Sequence, residues 1–436
     1  MKINHDRMLA DLNVLRSITD TPGEGVTRFS YGEKDREARA YITRAAESAG
    51  FVVDMDAIGN VFINFKGAAQ GVHETIYRTS GSAYNEAQRI VVGSHMDTVK
   101  NGGWLDGIYG VIAGLEVMRT LSESKLQGKS EKGSEGGSLL AKPVELVIFA
   151  EEEGSNFGST MTGSKFISGI YGEEELDKLK NDRGVSLRQM LERCGYPPYK
   201  REDVAWDFDR VLAMLELHIE QGPGLEQKGL SIGIVDAIYG MSVLEITLYG
   251  VGNHAGAAPM ADRRDALVTA ALCILEAEKI AKGDPEGITV ATVGKISVLP
   301  NCSNVIPEKA VFTLEVRDKD ENKIHQVMGE TENSIRTIAA QRGVDCETRK
   351  MSSSAPIKMN EEITALIANL ASQAGFSYEI ISSGAVHDTC MIAPNAPAGM
   401  IFVPSKGGRS HVPFEDTDEE DLVRGSQLLL DTVRAL

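Results

Sequence analysis

The stretch Ile90-Val91-Val92-Gly93-Ser94-His95-Met96-Asp97-Thr98-Val99-Lys100-Asn101-Gly102-Gly103-Trp104-Leu105-Asp106-Gly107-Ile108-Tyr109-Gly110 decides how the rest of the chain is read. A short apolar run ends at Gly93 and Ser94, and His95, Asp97 and Asp106 follow at once, with Gly102 and Gly103 between them. That order is a strand delivering polar ligands into a glycine-rich turn. Side chains two apart in an extended segment share a face, so His95 and Asp97 point the same way at the strand's end. One of them can hold a metal ion while the other fixes the imidazole through its second nitrogen. Asp106 can return across the turn as an oxygen ligand. A solvated loop accounts for His-x-Asp alone equally well, so further ligands must come from elsewhere in the chain.

Three other apolar runs end in the same manner. Residues 143–150, broken by one Glu, empty into Glu151-Glu152-Glu153-Gly154. Residues 211–217 deliver His218-Ile219-Glu220-Gln221-Gly222, and residues 400–404 lead to Ser405-Lys406-Gly407-Gly408-Arg409-Ser410-His411. Consecutive glutamates ordinarily form a solvated charge run. Here their position argues otherwise, because continuous apolar runs suit buried parallel strands and open α/β sheets place their sites at the carboxyl ends of such strands. His95, Asp106, Glu153, His218 and His411 then make a mixed imidazole and carboxylate set, suited to zinc, manganese, cobalt or nickel rather than to calcium or magnesium. His5, His73 and His325 lie outside such contexts and read as surface residues.

The chain of 436 residues exceeds a single comfortable core, so a second domain is expected. Helical spacing covers 5–18 and 34–49, the latter stopping at Gly50, and a hairpin follows over 51–55 and 60–65. Residues 67–88 read as a surface excursion, 108–121 as a helix, and the polar, low-complexity 122–138 as a mobile loop. Between 223 and 343 the texture changes. Strands at 242–249, 288–298 and 311–317 alternate with two long helices. The first, 262–281, carries Ala266, Leu267, Ala270, Ala271, Ile274 and Leu275 along one side; the second starts at Asp318 with Glu321 completing a capping box and runs to 341. A helix at 361–374, a strand at 378–381 and a helix at 417–436 close the chain. The expected fold is therefore α/β, a mixed sheet with helices on both faces in two parts, 1–222 and 344–436, around an inserted α+β domain at 223–343.

A net charge of −18, from 45 basic and 63 acidic residues, opposes nucleic-acid or anionic-membrane binding. The start of the chain lacks the apolar core of a signal peptide and no stretch is apolar enough to span a bilayer, which leads to the expectation of a cytoplasmic protein. Five scattered cysteines read as free or buried thiols, with neither a disulfide framework nor a zinc finger.

Gly93-Ser94-His95-Met96-Asp97-Thr98, Gly102-Gly103-Trp104-Leu105-Asp106-Gly107, Glu152-Glu153-Gly154-Ser155, His218-Ile219-Glu220-Gln221-Gly222 and Gly408-Arg409-Ser410-His411 together resemble the hydantoinase/carbamoylase family of amidases. That family sits within the larger clan of two-metal aminoacylases and carboxypeptidases and includes N-carbamoyl-L-amino-acid hydrolases, allantoate amidohydrolases and β-ureidopropionases. His218 stands where the clan's peptidases usually offer a carboxylate, which points to the amidase branch. The resemblance implies two divalent ions per subunit, zinc first and manganese, cobalt or nickel next. One would be held by His95, Asp106 and His218, the other by Glu153, His411 and the bridging Asp106. It implies Glu152 as general base and Asp97 as the partner orienting His95.

The resemblance extends to the inserted domain, which it makes a lid through which the protein forms a homodimer. His254, in Gly252-Asn253-His254-Ala255-Gly256, would steady the oxyanion, from the partner subunit. Asn304 and Arg317 would read a substrate carboxylate; strand alternation puts Arg317 with Thr313 and Glu315, and a forked guanidinium suits that task where a plain surface arginine would not need it. Gln221, Val386 and His387 complete the implied substrate contacts. One departure stands out: the family's Ser-Gly-Ala-Gly-His-Asp is here Ser383-Gly384-Ala385-Val386-His387-Asp388, a β-branched residue where glycine lets substrate approach the backbone. The implied activity is cleavage of the carbamoyl C–N bond of an N-carbamoyl-L-amino acid to amino acid, carbon dioxide and ammonia. Allantoate amidohydrolase or another ureido-acid hydrolase comes second, a peptidase or aminoacylase third. A non-catalytic ligand-binding relative on the same scaffold is the reading from another class.

Overall fold

The computed structural model describes residues 1–65, 76–77, 88–131, 142–285 and 287–436. Two units pack separately: the first comprises Met1–Asp236, Met359–Ile381 and Val386–Leu436, the second Ala237–Lys358 and Ser382–Ala385. In the first unit the strands run in the order Ile76–Tyr77, Phe51–Met55, Val61–Phe65, Val144–Phe149, Arg89–His95, Val211–Ile219, Ala398–Val403 and Ile232–Ile238. The centre of that order is its functional part. Val144–Phe149 pairs parallel with Arg89–His95, which pairs parallel with Val211–Ile219, which pairs parallel with Ala398–Val403. All four therefore end at one edge, and the four apolar runs singled out in the sequence are these neighbours.

Their texture follows from burial on both faces. Ile90 and Val92, Leu146 and Ile148, and Leu215 and Leu217 share one core with residues of the helices His5–Ser17, Glu33–Ser48, Ile108–Glu131, Glu361–Gln373 and Glu419–Ala435. The alternate residues, such as Val91, Val147 and Phe149, are equally buried, and Phe149 packs against Trp206 on the segment that covers the other face. The helix from Ile108 continues to Glu131, so the expectation of a loop from 122 fails over that length; the rest of 122–138 lies outside the described residues. The 67–88 excursion also lies outside them, save Ile76–Tyr77 and residue 88.

The second unit is an antiparallel sheet in the order Val290–Leu299, Lys309–Asp318, Gly240–Tyr249 and Asp345–Ser354, with the helices Ala266–Lys282 and Glu321–Gln341 against it. Gly240–Tyr249 and Lys309–Asp318 alternate between buried and half-buried positions, as a sheet covered on one face should. The bounds of this unit differ from 223 and 343 for two reasons. Ile232–Ile238 is a strand of the first sheet, and Asp345–Ser354, too polar to announce itself, pairs antiparallel with Gly240–Tyr249 from Met241 to Tyr249.

Two helix details also differ from expectation. The cap of the second helix is Asp320, whose side chain accepts the N–H of Asn322, while Asp318 ends the preceding strand and accepts the Thr289 hydroxyl. On Ala266–Lys282 the buried face is Ala266, Thr269, Ala270, Cys273, Ala277 and Ala281, so the close approach is made by small residues. Leu267 and Leu275, expected inside, are exposed along with Val268 and Leu272. The five cysteines are free. Among the described residues no helix is long and apolar enough to cross a membrane.

Candidate metal centre

The common edge brings the five expected ligands together. Asp106 Oδ1 lies 3.0 Å from His218 Nε2 and 3.5 Å from His95 Nε2, and Oδ2 lies 3.1 Å from His411 Nε2. His411 Nε2 is in turn 3.3 Å from Glu153 Oε1. Two sets of ligand atoms result, His95–Asp106–His218 and Asp106–Glu153–His411, each within 4.8 Å of one another and sharing the Asp106 carboxylate.

The imidazoles are set for this task by their second nitrogens. His95 Nδ1 lies 3.0 Å from the main-chain oxygen of Asp97, and His218 Nδ1 lies 2.9 Å from that of Ile219. A carbonyl can only accept, so each Nδ1 carries a proton and each Nε2 is the nitrogen left to face a cation; that of His218 accepts the Gly107 N–H at 3.0 Å. The Asp97 carboxylate, expected to do the orienting, stands 3.7 Å from Nδ1 and instead accepts the N–H groups of Glu152 at 3.2 Å and Glu153 at 3.1 Å. Asp97 thus fixes two strand ends at once, His95 by its backbone and the glutamate pair by its side chain. Gly107, at φ +66°, is needed as glycine: a Cβ there would lie 2.4 Å from the His95 ring. Glu151, Gln221 and His411 also hold positive φ, 54°, 60° and 60°, without being glycine. Left-handed backbone of this kind costs on the order of 1–3 kcal/mol per residue and gathers at functional sites.

Buried acceptors without donors test whether cations fit. Glu153 Oε1 and Gln221 Oε1 are both buried with no hydrogen-bond donor. Burial, with the charge of Asp106 next, pushes Glu153 up to about 7, and burial raises Glu152 well above the carboxylate range despite His95. The hydrogen bond to Asp106 pushes His411 up to about 9. Burial alone would lower His95, but Glu152, Asp106 and Asp97 raise it well above its usual value. Without a cation the edge balances itself only by protonating imidazoles and carboxyls, so the donor set fits divalent ions. Glu152 belongs to neither set; its Oε2 lies 3.8 Å from His95 Nε2.

In the second unit, Asn253–His254 pairs with Val305–Ile306, and Ala255 donates its N–H to Asn304 O at 2.9 Å, which sets His254 beside Asn304. Gly256 donates its N–H to His254 Nδ1 at 3.1 Å, so the neutral ring carries its proton on Nε2. Arg263 ties the loop down through the carbonyls of Ala255 and Ala258. Arg317 shares its face with Glu315, whose Oε1 accepts from Nε at 2.7 Å, while Nη1 donates to Gly384 O at 2.9 Å.

Residues 91–435 match the sequence pattern of Peptidase family M20/M25/M40. The N-carbamoyl-L-amino-acid amidohydrolase of Paenarthrobacter aurescens is 36% identical over 95% of this chain and 94% of its own length. The allantoate amidohydrolase of Escherichia coli is 33% identical over 95% of this chain and 94% of its own length. The crystal structure of a hydantoinase/carbamoylase-family amidase from Burkholderia multivorans superposes with a TM-score of 0.86 at 33% identity, covering 100% of this chain and 98% of that one.

The chain belongs to the M20/M25/M40 peptidase family. Within that family it falls with the hydantoinase/carbamoylase amidases and is an amidohydrolase. Divalent metal use is consistent with both the family and the two ligand sets.

Set against the family motifs, the remaining expected residues fall in distinct places. Gln221 donates from Nε2 to Asp106 Oδ2 at 2.9 Å, beside the ligands. Val386 is half-buried. His387 is 2% exposed, its ring 4.7 Å from that of His218 and 5.5 Å from that of Phe402. Sequence reasoning missed Glu415, which accepts from both the Asp106 and the His411 loops. It heads the acidic stretch Glu415-Asp416-Thr417-Asp418-Glu419-Glu420-Asp421, and only its distance of four residues from His411 could have separated it from a charge run. Arg28 was missed too. Fully buried, it donates from Nε to Met96 O at 2.7 Å, between His95 and Asp97.

Proposed function

We propose that this amidohydrolase cleaves the carbamoyl C–N bond of an N-carbamoyl-L-amino acid, releasing the amino acid, carbon dioxide and ammonia. The observation that carries the reading is the shared Asp106 carboxylate, with three imidazoles and Glu153 around it and an unligated, buried Glu152 beside it. His95, Asp106 and His218 would hold one ion, and Asp106, Glu153 and His411 a second, with zinc the first candidate for this mixed donor set. Divalent cations held there supply positive charge that acidifies a water and polarises an amide carbonyl.

The chain's own groups account for the rest. Glu152 takes the proton of the attacking water on its carboxylate, holds it out of solvent and passes it to the leaving nitrogen. Gln221, fixed by Asp106, holds the substrate at the edge. His254 offers Nε2–H to the oxygen on which negative charge develops. Arg317, with Nε engaged by Glu315, keeps guanidinium edge for a substrate carboxylate, and Asn304 reads it alongside. The ureido class draws support from relatives whose names specify carbamoyl amino acids and allantoate.

The lid domain would also join two subunits. The exposed Leu267, Val268, Leu272 and Leu275 on one helix, with Val290, Ile296 and Leu299 on the edge strand Val290–Leu299, form an apolar surface that suits a second copy of the chain. A cytoplasmic location accords with the charge and thiol content.

The test is ammonia release by metal-reconstituted protein from N-carbamoyl-methionine, allantoate and a dipeptide. Turnover of the carbamoyl amino acid above the other two is the expected result. A preference for allantoate would move the enzyme to the second reading within the class, and activity confined to the dipeptide would refute both.

A further inference from the structure

Glu415 is 1% exposed and lies in neither ligand set. Its Oε1 accepts the N–H groups of Leu105 at 2.9 Å and Asp106 at 3.0 Å. Its Oε2 lies 2.8 Å from the Ser410 hydroxyl and accepts the N–H of His411 at 3.3 Å. Ser410 Oγ also reaches Asp106 Oδ2 at 2.7 Å. One carboxylate therefore gathers the backbone of two loops that are remote in the chain, and each loop carries a metal-capable side chain. The loop around Asp106 is shaped to admit it: a Cβ on Gly103 would fall 1.9 Å from the carboxyl carbon of Glu415 and 2.0 and 2.2 Å from its oxygens. Glycine stands at 103 because Glu415 fills the space.

The two ligand sets depend on this brace unequally. His95 and His218 sit at the ends of central strands and are fixed by their own Nδ1 contacts to carbonyls. Their set shares only Asp106 with the brace. In the other set both Asp106 and His411 hang from it, and His411 is a half-exposed loop residue at φ 60° with no strand to hold it. We propose that Glu415 is a positioning residue that sets His411 against Asp106, and so governs cation affinity at the Asp106–Glu153–His411 group far more than at His95–Asp106–His218. The proposal rests on the two-ion reading above.

Full-length protein equilibrated in zinc buffers of graded free concentration, with bound zinc counted per chain and the melting temperature recorded, separates the possibilities. Parent protein should fill in two steps. In Glu415→Gln one step, the one that His411→Ala abolishes, should move to about 10–100-fold higher free zinc, the range seen when groups supporting a ligand are lost, while the other moves by less than about threefold. Gly103→Ala, which crowds the carboxylate without removing it, should reproduce the same split and decides the matter should Glu415→Gln not fold. Unchanged isotherms in both variants, or both steps weakening together as the melting temperature falls, would overturn the role of Glu415. A single step in the parent would instead sink the two-ion reading, and this proposal with it.

Discussion

The metal edge of the first unit and the proposed reader elements of the second present polar side chains in opposite ways. At the edge, His95, Asp106 and His218 are 2%, 4% and 1% exposed, and each is tied to other residues of the edge. In the second unit His254 and Asn304 are exposed and paired through their backbones, while Arg317 is half-buried and held by the Glu315 carboxylate and the Gly384 carbonyl. Groups that must converge on a small cation repel one another when it is absent, so the fold has to hold them by force of packing. Groups that meet a substrate need only be presented with the right proton or the right edge outward. Changes at the edge should therefore separate into effects on chemistry and on metal, while changes at the readers should spare both metal and stability.

The sharpest way to break that division is Glu152→Gln. Glu152 belongs to neither ligand set, so the fold and the metal content should persist. Turnover should fall by about 10²–10⁴, the range for removing a positioned proton carrier. Zinc analysis and steady-state ammonia release on the same sample measure both halves. Turnover like that of the parent would remove Glu152 from its assigned role.

His254→Ala should cost somewhat less, about 10²–10³ in kcat, as for loss of one donor to a developing oxyanion, with metal content and melting temperature unchanged. If His254 serves the site of the partner subunit, two nearly inactive proteins should restore each other. Mixed and re-equilibrated, Glu152→Gln and His254→Ala chains would give half heterodimers with one complete site of two, hence roughly a quarter of parental activity. No recovery after demonstrated exchange would place His254 in the site of its own chain.

The same contrast explains what could be read from the sequence. The edge was legible because its physical causes are local and strongly patterned: an apolar run buried on both faces, then a polar residue, four times over. Parallel pairing then did what the pattern implied, bringing Asp106, Glu153, His218 and His411 to His95. The proposed readers such as Arg317 had only the family motifs to mark them, since a half-buried strand arginine has no signature of its own. What escaped were the braces. Glu415 is hidden in an acidic stretch, and its partners Leu105 and Asp106 are separated from it by three hundred residues. The polar strand Asp345–Ser354 and the alanine face of Ala266–Lys282 escaped for a related reason, that pairing and close packing there depend on a neighbour rather than on their own hydrophobicity.

A smaller effect sharpens the comparison without any metal or substrate. Asp56 is a buried brace behind the edge: Oδ1 accepts the N–H groups of Ile58 and Asn60, each at 2.9 Å, and Oδ2 accepts from Asn60 Nδ2 at 2.7 Å. Asn60 Oδ1 in turn accepts the N–H of Ala150, the residue before Glu151. Burial pushes Asp56 up to about 6, although those donors pull it down. In the unfolded chain an aspartate titrates near 3.9, so between about pH 4 and pH 6 the native protein binds the extra proton and its stability falls as pH rises. The stabilisation is complete below pH 4 and lost once pH passes 6, amounting to about 3 kcal/mol for a shift of this size. Asp56→Asn cannot titrate. Its amide also meets the Asn60 amide donor to donor, a cost that does not vary with pH. Denaturant unfolding of parent and variant across pH 4–7 should show the parent losing ground to Asp56→Asn by up to about 3 kcal/mol on the way from 4 to 6, then running parallel to it. Arg317→Lys, which keeps the positive charge and leaves Asp56 untouched, should run parallel to the parent throughout. Parallel curves for Asp56→Asn would mean that this brace carries no buried charge, and the contrast between a braced edge and exposed readers would then rest on the metal ligands alone.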